Sequence, residues 1–347
     1  MSSYERSTRS GFALALLAAA SFGVTTPLVQ RFGRGVGPFT TAALLYIGAV
    51  MVALVTRRRA SQEAPLRWSH APRLVAMALA GATAAPAALA WGLQRTSGLS
   101  ASLALNFEAV FTAALGWLLY REHVGRRVAF ALGLMTTGGL LLVIGRSEEG
   151  HAQLAGLVAV VAATFAWGLD NALSNALASL DPARVVLAKA SLGALASVSL
   201  AFALREPIPA PAASVGLLVC GATGYGLSLR LYLLAQRRVG AARTASLFAI
   251  APFVAAAVAA LFGEPLGGWP TAAALVPMLV GLVLHLTERH AHPHRHQPLT
   301  HEHAHRHDDP HHDHAHDPPA TGEHSHEHTH TPIEHDHAHM PDAHHEH

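Results

Sequence analysis

Long apolar stretches separated by short polar joints fill the first 288 residues. Ten such stretches begin near Gly11, Val36, Pro72, Thr96, Arg127, Gln153, Ala183, Ala212, Gly240 and Trp269. Each runs for about 18–25 residues, and a helix rising about 1.5 Å per residue needs roughly 20 apolar residues to cross a bilayer core about 30 Å thick. The joints carry Arg, Gly or Pro, as in "TRRRASQEAPLRWSHAPR" and "REPIPAP". No stretch keeps the polar face that a helix of a soluble protein turns to water, so the pattern predicts ten transmembrane helices. The first, in "GFALALLAAASFGVTTPLVQ", is too long for a cleavable signal peptide and is read as a span.

From residue 289 the pattern stops. Of the 26 His in the chain, 22 fall between His290 and His347, so whole-chain composition averages two different materials. With almost no large apolar residue to bury, 289–347 is predicted to be disordered without metal.

Charge sets the orientation. The side holding the N-terminus collects 17 of the Lys and Arg residues and the other side 5, namely Arg31, Arg34, Arg95, Arg146 and Arg205. That bias predicts a multi-pass protein of the inner or plasma membrane with both termini, and the His-rich tail, in the cytoplasm. Arginine in loops therefore speaks of topology rather than of nucleic acid, for which no partner role is expected. The single cysteine, Cys220, permits no intrachain disulfide and no cysteine-based metal site.

The chain is also doubled. "QRTSGLSASLALNFEAVFTAALGWLLYRE" (94–122) aligns without gaps to "QRRVGAARTASLFAIAPFVAAAVAALFGE" (236–264), setting Gln94 on Gln236, Gly98 on Gly240, Phe111 on Phe253 and Glu122 on Glu264. Upstream, "GAT" recurs at 81 and 221, two residues out of that register. Five spans per half is an odd number, so the halves cross the membrane in opposite senses. Inverted repeats of this kind build secondary transporters, with the substrate site near the midplane where the halves meet. The chain divides into 1–147 (first five-helix repeat), 148–288 (second) and 289–347 (tail). The predicted fold class is an all-α membrane protein of ten transmembrane helices in two inverted five-helix repeats, plus a disordered His-rich C-terminal tail.

Ten spans in two halves, with "YREHVG" and "FGEPLG" closing the fourth helix of each, resemble EamA-type members of the drug/metabolite transporter superfamily over about residues 11–288. The resemblance implies an alternating-access carrier of small metabolites without an ATP-binding module. It leaves the substrate open. The sequence departs from the commoner family pattern at Glu108, where many relatives would show an apolar residue followed shortly by proline, as in "IAPF" of the second half.

Ionisable residues deep in spans are costly and count as functional candidates by default. Four stand out: Glu108, Asp170, Lys189 and Arg230. Glu108 lies roughly 18 Å from either end of the fourth span, with no cation in its own helix. A carboxyl so placed suits a proton-coupling site that loads and releases H⁺ as the cavity opens to each side; a protonated side chain bonded to a neighbouring helix is the blander alternative. Asn106 falls on the opposite face of a regular helix and, with Ser102, is expected to join helices. Asp170 can pair with either Lys189 or Arg230, both of which can also snorkel toward the interface. The functional alternative is an anion-binding patch, with Asn171 and Asn175 supplying hydrogen bonds to a polar substrate. Glu122 and Glu264, just past helix ends, are expected to hold loop backbone.

The tail offers His301, His303, His305, His307, His311, His312, His314 and His316 in one cluster. A second holds His324, His326, His328, His330, His335, His337 and His339, and His344, His345 and His347 close the chain. Neutral imidazole binds Zn²⁺, Ni²⁺, Co²⁺ and Cu²⁺, and His at i, i+2 and i+4 share one side of an extended chain. Such divalent metals are expected on the tail, with no cofactor required by the core. No catalytic arrangement is found, so an enzyme is not expected. The favoured reading is a secondary transporter, an exporter, of a small metabolite, proton-coupled through Glu108. Its partners are the lipid bilayer, the small-molecule substrate and transition-metal ions, and a homodimer is an admissible assembly. The alternatives are a Zn/Ni/Co exporter and a membrane-anchored metal sensor or buffer.

Overall fold

The structure, a computed structural model, describes residues 3–56, 66–120, 125–147, 150–174, 177, 180–239, 241–264 and 268–287, and in the tail 291–295, 300–305, 324–329 and 334–338. Asn175, Glu122 and the tail residues His307, His311, His312, His314, His316, His330, His339, His344, His345 and His347 lie outside the described residues.

Ten helical elements follow one another. They are α1 (Ser3–Phe32), α2 (Pro38–Thr56), α3 (Ala71–Met77, Ala78–Ala84 and Ala85–Leu93), α4 (Gly98–Ala104 and Phe107–Tyr120) and α5 (Arg126–Ser147). Then come α6 (His151–Ser174), α7 (Pro182–Ala203), α8 (Pro211–Cys220, Gly221–Leu227 and Ser228–Val239), α9 (Ala241–Phe248 and Ala251–Leu261) and α10 (Gly268–Leu286). Among the described residues nine helices are long and apolar enough to cross a membrane, and the tenth, over Thr271–Leu286, is apolar but shorter. Apolar side chains cover the outside of the bundle, Val55, Phe202 and Leu261 each being more than four-fifths exposed. Water would penalise that surface and lipid would not.

Packing interleaves the two sets of five. α2 lies along α7, α5 along α10, and α1 against α8 and α9, while α3 and the second piece of α4 rest on α6. Small residues set the approach between α2 and α8. A side chain on Gly48 would strike the Leu218 carbonyl, and one on Gly221 would strike the Leu45 carbonyl. Reciprocal glycines let two backbones touch where larger residues would separate them. Gly221→Leu is therefore expected to cost about 1–3 kcal/mol through overpacking, read as a lower unfolding temperature in detergent.

Two irregularities occur once in each set of five. α3 and α8 each contain a seven-residue π-helical segment, Ala78–Ala84 and Gly221–Leu227. α4 and α9 are each interrupted in mid-span, between Ala104 and Phe107 and between Phe248 and Ala251. Proline explains the second break, because Pro252 offers no N–H to the preceding turn. In α4 the Leu103 carbonyl accepts from both the backbone N–H of Asn106 at 3.1 Å and its side-chain amide at 2.9 Å, a tighter turn than the regular ladder. Glu108 lines the cavity described below and Asn106 does not, as the opposite-face argument expects, although the break means that the helix between them is not regular. Ser102 and Asn106 bond to carbonyls of their own segment, Gly98 and Leu103, rather than across helices.

The described segments of the tail are extended and paired. Ala291–Arg295 (β1) pairs antiparallel with Glu334–Ala338 (β4), and Thr300–His305 (β2) with His324–Thr329 (β3). Strict alternation of His with other residues has the period of an extended chain, and pairing satisfies its backbone groups without an apolar core. The register sets His301 opposite His328, His303 opposite His326 and His305 opposite His324.

Candidate functional site

Glu108 opens the second piece of α4, so the break places a carboxyl at the start of a half-helix in mid-span. From α6, Asn171 donates its Nδ2 to Glu108 Oε1 at 2.9 Å and lies 3.4 Å from Thr112 Oγ1. One turn of α6 thus carries two different polar groups toward its neighbours, because Asp170 precedes Asn171. Asp170 is paired with Lys189 of α7 through Oδ2, both side chains being buried. That settles which cation Asp170 takes. Among the described residues its other oxygen, Oδ1, is buried without a hydrogen-bond partner.

The π segment of α3 serves the same region. Gly81 has no side chain where one would strike the Asp170 carboxyl. Its carbonyl accepts two bonds, from Tyr46 of α2 at 2.7 Å through the phenol and from Trp167 of α6 at 3.0 Å through the indole N–H. Such segments free backbone groups that a regular helix would occupy. The two rings join an aromatic layer at mid-span. Phe22 meets Trp167, Tyr225 and Phe248 at centroid separations of 5.8, 5.7 and 5.6 Å, and Tyr46 meets Tyr225 at 5.7 Å.

These groups surround one cavity of about 120 Å³, lined by Glu108, Asp170, Asn171 and Lys189 together with Phe22, Tyr46, Trp167, Tyr225, Tyr232 and Phe248. Its floor residues, such as Ser174, Val185 and Leu233, come from the ends of α6, α7 and α8 nearest the side of the termini. The structure therefore brings four of the sequence candidates together. Arg230 is not among the lining residues; its guanidinium donates to the Thr56 carbonyl at 2.6 Å, closing the end of α2. Cationic side chains at helix C-termini are favourable in this way.

The aromatic lining was not read from the sequence. A signal existed, since two of the five Tyr, namely Tyr46 and Tyr225, lie in mid-span, whereas tyrosine favours the membrane interfaces. Glu206 was also missed. It accepts from the backbone N–H of Phe39 at 3.1 Å and of Thr40 at 2.7 Å, and from the Thr40 hydroxyl at 2.7 Å. The expectation for Glu264 holds, because its Oε2 accepts from the Leu99 N–H at 2.9 Å. Among the described residues no group of three or more His, Cys, Asp or Glu converges to hold a metal ion.

Comparison with known proteins gives this geometry a context. The EamA-like transporter family matches residues 9–144 and again residues 154–287. An uncharacterized transporter of Methanothermobacter thermautotrophicus is 26% identical over 261 residues, covering 69% of this chain and 75% of that protein. A "probable amino-acid metabolite efflux pump" of Salmonella typhimurium is 29% identical over 87 residues, which is 25% of this chain and 29% of its own length. A protein of known crystal structure superposes with a TM-score of 0.58 at 17% identity, over 81% of this chain and 98% of its own, a likeness of fold alone.

Proposed function

Because the chain belongs to the EamA-like transporter family, we propose that this membrane transporter of small metabolites exports an amine-bearing solute by alternating access, in exchange for protons taken up at Glu108. The observation that carries the reading is the mid-span cavity in which Glu108 and Asn171 face the Asp170–Lys189 pair within an aromatic wall. Carboxylates and an ammonium in one small space offer partners to both ends of a zwitterion, and aromatic faces favour a cationic amine. The amino-acid solutes named for the Salmonella relative have this chemistry.

Two arrangements support an inverted repeat. The π segments and the mid-helix breaks fall in the third and fourth helices of each five, and α2 with α7 and α5 with α10 are the close pairs that a pseudo-two-fold axis would create. Arginine bias supports termini in the cytoplasm, an orientation that would put the cavity on the cytoplasmic side of the aromatic layer. Transport of radiolabelled amino acids into inside-out vesicles tests the reading. Saturable accumulation that collapses with the pH gradient is expected, and a panel of zwitterions that neither accumulates nor competes would exclude it.

Metal export is less favoured, since the cavity contains Lys189, whose charge repels a dication. The tail is instead a cytoplasmic metal-binding appendage. Removing residues 290–347 is expected to abolish high-occupancy Zn²⁺ or Ni²⁺ binding in calorimetry while leaving solute transport intact. Binding by the full chain should weaken as pH falls through about 6, where imidazole protonates. Metal accumulation in vesicles by the shortened chain would instead make the core the metal pathway.

A further inference from the structure

Glu206 and Glu264 are set by the same device. Each follows a residue of positive φ, Arg205 (φ 54°) or Gly263 (φ 85°), at the end of a helix. The N–H of Glu206 reaches the Ala201 carbonyl and that of Glu264 the Ala259 carbonyl, while Arg205 and Gly263 bond to Phe202 and Ala260. This double bond pattern ends a helix and throws the next side chain sideways. Both carboxylates then reach across, from the last five helices to the start of a helix in the first five. Gly37 and Gly98 leave room for them, since a side chain at either position would strike Glu206 or Glu264 respectively.

Their settings differ. Glu206 takes three donors at the head of α2, which is unbroken and lies along α7. Among the described residues Glu264 takes one backbone donor, Leu99, and it joins the two interrupted helices. The short piece Gly98–Ala104 of α4 packs against Ala251–Leu261 of α9, and both end at breaks level with the cavity. Hinges of this sort let half a helix swing while the rest stays packed.

We propose that Glu264 is the release point of the face opposite the termini, and that Glu206 is a fixed clamp on that face. When the cavity opens there, Gly98–Ala104 and Ala251–Leu261 part at the Glu264–Leu99 bond, whereas α2 stays held to α7. This rests on the alternating-access reading, but its test needs no substrate and so can fail or succeed independently of transport.

The reporter is Ser102→Cys in a Cys220→Ser background, since Ser102 is fully buried in the short piece and Cys220 is the only native cysteine. A membrane-impermeant methanethiosulfonate carrying a quaternary ammonium is applied to intact cells and separately to inside-out vesicles, so the side of entry is read directly. With Glu264→Ala, labelling from the side opposite the termini should quicken about tenfold, the scale of losing one charge-assisted hydrogen bond. Glu264→Gln, which keeps an acceptor and the shape, should fall between. Glu206→Ala should lower the unfolding temperature without changing the labelling rate. In a separate chain that keeps Ser102 and native Cys220, the buried Cys220 of α8 should stay protected when Glu264→Ala is added, which separates local opening from general loosening. The proposal is overturned if Glu264→Ala labels no faster at Ser102→Cys, if Glu206→Ala labels equally fast, or if Glu264→Ala makes Cys220 reactive in that separate chain.

Discussion

Glu108→Gln is expected to uncouple transport from the proton gradient while leaving the protein folded and able to exchange solute. The carboxyl accepts one bond, from Asn171 Nδ2 at 2.9 Å, and a glutamine oxygen can accept the same bond. Shape and neighbours are thus retained, and only the capacity to carry a proton is lost. A pH difference of one unit is worth about 1.4 kcal/mol per proton, or roughly tenfold in solute ratio for one-to-one coupling. In vesicles with such a gradient, the native chain should concentrate its substrate by about that factor. The variant should equilibrate to a ratio near one, yet still show counterflow of labelled against unlabelled solute. A glutamine variant that still concentrates solute in proportion to the gradient would remove Glu108 from the coupling step.

The place of Glu108 beside the cavity was legible in the sequence because a carboxyl deep in an otherwise apolar run is costly and needs a polar setting. The spans were legible for the same reason, their length being set by the bilayer. What the sequence could not supply was rotation. Asp170, Lys189 and Arg230 stand on three different helices, and composition cannot tell which cation turns toward the acid; packing of α6 on the Gly81 turn and of α7 beside it decides for Lys189. Arg230, one helix away, finds a carbonyl instead. The π segments left a faint trace. "GAT" recurs at 81 and 221, two residues out of step with the alignment of Gln94 and Gln236, and irregular helical turns lie at both sites. Glu206 was hidden because the recurrence of "EP" in "REP" and "GEP" is too short to stand out, and two of its three donors are backbone N–H groups, which no side-chain pattern reveals.

The Asp170–Lys189 pair gives the second large effect, and it separates scaffold from site. Lys189→Met should cost about 3–5 kcal/mol, because it strands a buried carboxylate without its cation. Little folded protein is then expected in detergent at physiological temperature. Adding Asp170→Asn removes the stranded charge and should return most of the unfolding temperature, since deleting both members of a buried pair is often close to neutral. Transport distinguishes what stability cannot. If the pair only braces α6 against α7, the double variant should transport as the native chain does. If the amine and acid ends of the solute take turns with these two groups, the double variant should fold normally and carry the solute at least about tenfold more slowly, as expected for losing one or two charge-assisted contacts. The place of both groups in the cavity lining favours the second outcome. A pair serving only as a brace has no need to face a cavity, whereas charged groups that line one can take a partner from whatever enters.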